Sequence, residues 1–109
     1  MSEFIYRKAS LLAPETHALL GNVLVGIPRS ALEGLKGESG HQHQNEDELF
    51  LALVTDADHQ TVHELLMSPF GGASVRFEAF PIFEAEALPN PVRTTEDGKR
   101  FWRLEQRGS

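Results

Sequence analysis

The sequence predicts an α+β fold: a small mixed or antiparallel sheet with two short helices on one face, ferredoxin-like or related, plus a C-terminal β-hairpin. Three observations carry that expectation. Ser74 to Glu84 alternates apolar and charged residues, the period of a half-buried strand. The continuous apolar run Leu49 to Thr55 has strand length, and the helical stripe Val62, Leu65 and Leu66 follows it directly. Asp97-Gly98 sits between strand-like flanks, a hairpin signal of the type I′ kind.

Taken in order, Glu3 to Leu12 opens with aromatic and β-branched residues and reads as a strand, closed by Pro14. His17 to Ile27 fits either period, but Gly21, Asn22 and Gly26 weaken a helix, so a strand is expected from about Asn22 to Pro28. Ser30-Ala31-Leu32-Glu33 has the form of a capping box and predicts a short helix to Lys36. Gly37 to Asp47 is polar and glycine-bearing, hence a surface loop. After the Leu49–Thr55 strand, Asp58 is placed to cap a helix reaching Met67 or Ser68, stopped by Pro69 and Gly71-Gly72. Strand, helix and strand from Leu49 to Glu84 predict a right-handed crossover, and Pro81 marks the last strand as an edge or a bulge. Pro89-Asn90-Pro91 divides a domain of residues 1–88 from a hairpin and tail, 89–109, packed on the same domain or on a partner subunit.

The chain has 109 residues and no cysteine, which excludes disulfides, thiolate metal sites and a cysteine nucleophile. It contains no apolar stretch of membrane-spanning length, and its first residues show no signal-peptide pattern, so a cytoplasmic location is expected. Net charge is −6, unevenly spread: residues 38–91 hold ten carboxylates against the single cation Arg76, while residues 92–109 hold five cations against three acids. A basic nucleic-acid footprint is absent, and the cation–aromatic ribbon Lys99 to Arg107 is expected to lie against the protein's own acidic body.

Five residues form the candidate metal set: His41, His43, Glu48, His59 and His63. Imidazole and carboxylate suit Zn, Ni or Mn, and histidines four apart stack on one side of a helix. The spacing His41-x-His43-x4-Glu48 resembles the first metal motif of the cupin family, which implies a divalent metal held by two histidines and a glutamate. The resemblance covers residues 41–55. Thr55 stands where the family has glycine, and the second cupin motif is missing. Gln60 replaces the glutamate of H-E-x-x-H, so metalloprotease chemistry is rejected. No nucleophile elbow or phosphate loop is present. The Leu49–Glu84 segment loosely resembles small dimeric α/β-barrel families such as the YCII-like and muconolactone-isomerase-like proteins. Such an enzyme would use His17 or His63 as its acid or base.

The expected function is therefore a small acidic non-catalytic interaction module that engages a protein partner, such as a basic protein on the acidic central face, or a small ligand. The alternative is a divalent-metal protein or small metalloenzyme using the five residues above. A homodimer is expected, because Phe77, Phe80, Ile82 and Phe83 present more aromatic surface than two short helices cover.

Overall fold

The computed structural model describes residues 3–38, 40–66 and 73–104. Its elements run β1 (Phe4–Leu12), β2 (Leu19–Pro28), α1 (Arg29–Lys36), α2 (Glu46–Leu53), α3 (Asp56–Leu65), β3 (Ser74–Ala79), α4 (Ile82–Glu86), β4 (Arg93–Thr94) and β5 (Arg100–Leu104). The strands form one sheet in the order β3-β1-β2-β5-β4, with every neighbouring pair antiparallel. The α+β class and the C-terminal hairpin are as the sequence predicts.

Strand registers sort the side chains onto two faces, because residues directly opposite one another point the same way. On one face Ile5 lies opposite Ile27, Ala9 opposite Val23 and Phe77, and Val25 opposite Phe101. These residues pack against Leu32 of α1, Leu49 and Phe50 of α2, and Val62 of α3. Burying each large apolar side chain there contributes about 1.5–3 kcal/mol. The opposite face carries Tyr6, Leu24 and Trp102 under Phe80, Ala85 and Leu88, so α4 and its flanks cover part of it. A side chain at Gly26 would meet the Tyr6 ring at 3.0 Å, so glycine is what lets Tyr6 and Trp102 lie down on this face.

Residues Leu49–Leu53 of the expected Leu49–Thr55 strand are instead the end of α2, and Val54 and Thr55 link it to α3. Asn45 caps α2 by accepting from the Glu48 amide at 2.9 Å, and Glu46, Asp47 and Glu48 place negative charge at its positive end. Leu49 and Phe50 are buried, Leu53 is half-buried, and Leu51 and Ala52 face out: helical spacing hidden within an unbroken apolar run. With that strand gone, the Leu49–Glu84 crossover is absent, as is the βαβ unit behind the resemblance to the dimeric barrels. The crossover that exists starts from β2. Both β2 and β3 are antiparallel to β1, so they run parallel to each other, and α1, α2 and α3 connect them.

Smaller corrections have local causes. β2 begins at Leu19 rather than near Asn22. α1 forms without the Ser30 capping box; its N-cap is Pro28, which makes no side-chain cap. Thr55 caps α3, and Asp58 closes the capping box from the third helical position. β3 stops at Ala79, and Pro81 opens α4 rather than bulging a longer strand. At the hairpin tip only Gly98 has positive φ, at 89°, while the Gly98 amide donates to Thr95. A type I′ turn needs two such residues, so the tip is a different turn in which Gly98 alone takes the left-handed conformation. The expected stops at Pro69 and Gly71-Gly72, and the end at Met67 or Ser68, lie outside the described residues.

Candidate functional site

One charged residue lies on the helix-facing side of β1 among apolar neighbours: Arg7, between Ile5 and Ala9 and opposite Val25 and Ala79. Its side chain reaches the first turn of α2. Nε donates to Asp47 Oδ1 at 3.0 Å and Nη2 donates to the same oxygen at 2.6 Å. Nη2 also contacts Glu46 Oε1 at 3.2 Å, and Nη1 donates to the Tyr6 carbonyl at 2.8 Å. The guanidinium lies 5.7 Å from the centroid of the Phe50 ring. Arg7 therefore joins sheet and helix with a fixed orientation.

Two shallow clefts meet at Arg7. The first, about 160 Å³, is lined by Arg7, Asp47, Phe50, Leu51, Phe77 and Ala79. The second, about 130 Å³, lies between β1 and the β3–α4 connection and takes in Phe80 and Ile82. These volumes lie well below the roughly 300–1,000 Å³ of a pocket that encloses a small molecule. One exposed apolar side chain lines each cleft, Leu51 at 53% in the first and Ile82 at 44% in the second, and Phe83, next to Ile82 on α4, is 74% exposed. The expected aromatic surplus thus narrows to particular residues. Phe77 packs edge-on against Phe50 and Phe80 packs on the second face, leaving Phe83 to water.

The five proposed metal ligands are all described. His41 is half-buried in the loop, where its Nδ1 pairs with the Gln44 side chain. His43 is exposed, and Glu48 is exposed on the first turn of α2, not on the strand that a cupin motif requires. His59 is half-buried with its ring edge-on to Phe77, centroids 6.2 Å apart, and His63 is half-buried in the last turn of α3. Among the described residues no three His, Asp or Glu side chains are grouped as a metal ion requires. His17 lies exposed in the β1–β2 connection with φ of 59°, away from any cleft described above.

The acidic segment is partly neutralised from both flanks. Glu46, Asp47, Asp58, Glu64 and Glu78 each lie within 4.0 Å of a cation. The C-terminal ribbon supplies Arg93 to Glu64 and Lys99 to Asp58, but Arg7, Lys8 and Arg29 from the N-terminal hairpin and its following helix take the rest, with Arg76 beside Glu78. Glu38, Glu48, Asp56, Glu84 and Glu86 are exposed, with no ion-pair partner among the described residues.

Lys99 meets the acidic body as its place in the C-terminal ribbon predicts, but sequence reasoning does not single it out as a buried residue. Its side chain is only 6% exposed, and Nζ donates to Asp58 Oδ2 at 2.6 Å and to the Leu53 carbonyl at 2.8 Å. Hydrogen bonding from Thr95, with Lys99 nearby, holds the Asp97 carboxyl below the usual carboxylate range. Nothing local distinguishes Lys99 from a solvated turn lysine. Arg7 did leave a signal, a lone cation inside the alternating run Ile5, Ala9, Leu11.

The site defines a small α+β domain with an apolar rim and an acidic fringe. No protein family matches the chain, and neither a search of curated proteins nor a search of solved structures finds a similar one.

Proposed function

We propose that this protein is a small acidic, non-catalytic interaction module that forms a homodimer and engages a further protein partner. The observation that carries this reading is the set of exposed large apolar side chains around the edge strand β3: Leu51, which shares a cleft with Phe77 and Ala79 of that strand, and Ile82 and Phe83 on α4, which follows it in the chain. Large apolar side chains held in water by a folded scaffold are characteristic of protein contact surfaces, and a central aromatic anchor such as Phe83 is their usual energetic focus. Shallow clefts admit side chains of another chain rather than an enclosed substrate. The exposed carboxylates Glu48, Glu84 and Glu86 fringe the same elements and favour a cationic partner through long-range attraction.

The test replaces Leu51 and Phe83 by serine, singly and together, in the full chain. Neither is buried, so the melting temperature should stay close to that of the parent. Sedimentation should then show association weakened about tenfold or more, against itself and against a basic protein ligand. A parent protein that stays monomeric up to millimolar concentration and binds no basic protein at low or moderate salt would refute the reading.

A further inference from the structure

We infer that β3 is the dimerisation strand, pairing antiparallel with β3 of a second copy about a two-fold axis at Phe77. This rests on the interaction-module reading above and names its surface and register. β3 is one of the two edge strands of the sheet among the described residues and the longer of them, six residues against two in β4, and an edge offers a row of backbone donors and acceptors to another strand.

Symmetry restricts the register. Two copies of one edge strand become antiparallel neighbours only through a two-fold axis perpendicular to the sheet, which keeps each face continuous. Residues opposite one another must then share a face, so the axis passes through a residue position. Centring on Arg76 or on Phe77 keeps five of the six residues of β3 (Ser74–Ala79) paired, and centring on Glu78 keeps three. Centring on Arg76 sets Arg76 against its own copy, and centring on Glu78 does the same for Glu78; like charges directly opposite repel. Centring on Phe77 sets Arg76 opposite Glu78 of the second copy, twice, and Val75 opposite Ala79. Only this register is self-complementary in charge.

The rest of the strand agrees. Arg76 and Glu78 lie on the face away from α1–α3, since they sit opposite Ser10 and Lys8 on β1; within one protomer Arg76 already lies 3.1 Å from Glu78, and Lys8 3.4 Å from it, so pairing across the axis extends an existing ion-pair row. Phe77 lies on the helix face, opposite Ala9, so the two Phe77 rings meet at the axis. The cleft lined by Phe77, Ala79 and Leu51 runs along that same side, so the second copy's β3 and α2 would cover the exposed Leu51. Pro81 falls beyond the last pair, Ala79 with Val75, where a missing backbone donor costs nothing.

Charge exchange tests the register in the full chain. Glu78→Arg sets two pairs of arginines against each other and Arg76→Glu two pairs of glutamates; each should weaken the dimer about tenfold by sedimentation equilibrium. The double variant Arg76→Glu/Glu78→Arg should restore parental affinity. Mixing the two single variants should form a heterodimer tighter than either homodimer. Thermal melts of each variant separate these effects from misfolding. A dimer indifferent to both single variants, yet lost in Leu51→Ser and Phe83→Ser, would overturn the register and leave the interaction reading standing. A parent protein that is monomeric, with its β3 amides protected only by an added partner chain, would overturn self-pairing.

Discussion

Two ion-paired latches tie the sheet to helix N-termini, and they differ in their access to water. Arg7 on β1 reaches the first turn of α2, where its partners Glu46 and Asp47 have side chains 48% and 74% exposed. Lys99 in the β4–β5 hairpin reaches Asp58 of the α3 capping box, with side chains 6% and 7% exposed. The same pairing of cation and helix start therefore works in two dielectrics. At the wet latch the acids are solvated whether or not Arg7 is present, so the pair adds orientation more than energy. At the dry latch the Asp58 carboxylate depends on Lys99, because an unpaired charge out of water is costly, while Lys99 also lies 3.3 Å from the exposed Asp97 carboxylate. The wet latch also lies beside the apolar rim, while the dry one fixes the hairpin that delivers Phe101 and Trp102 to the two core clusters.

The sharpest way to break the comparison is Lys99→Met. It strands the Asp58 carboxylate with the Thr55 amide alone and should cost about 3–5 kcal/mol in denaturant unfolding. The double variant Lys99→Met/Asp58→Asn removes both charges and keeps an acceptor for the Thr55 amide, so most of that loss should return. A single variant costing no more than a surface lysine would show that the latch is not dry. Arg7→Met retains an apolar stem over Phe50 and gives up the contacts to Asp47 and Glu46. Its cost should be about 1–2 kcal/mol and should shrink further in high salt, whereas the Lys99 effect should not. Equal salt dependence at the two sites would contradict the contrast.

Legibility in the sequence followed the strength of local signals. β1 and the hairpin carry strong period-two patterns and turn residues, and both form, the hairpin with a turn other than the expected type I′. α2 is hard to see in the sequence because an unbroken apolar run fits either period; the deciding signal, Asn45 followed by three acids, lies in a segment whose polarity also suits a loop. Misplacing that helix also misplaced the crossover. The histidines drew attention because their chemistry is versatile, yet His41 pairs with Gln44 and His59 packs on Phe77, interactions that no spacing rule anticipates. Lys99 was illegible for a different reason. A turn lysine becomes a buried latch only when three-dimensional packing delivers Asp58 and the Leu53 carbonyl to it.

The contact surface assigned to the α2–β3–α4 side can be probed without any substitution by following amide hydrogen exchange of the native chain as its concentration is raised from micromolar to millimolar. Slowed exchange confined to Val75–Ala79 and the neighbouring turns of α2 and α4, with the β4–β5 hairpin unchanged, is the predicted result. Exchange along β3 that stays the same over that whole range, even with a basic protein ligand added, would contradict the account.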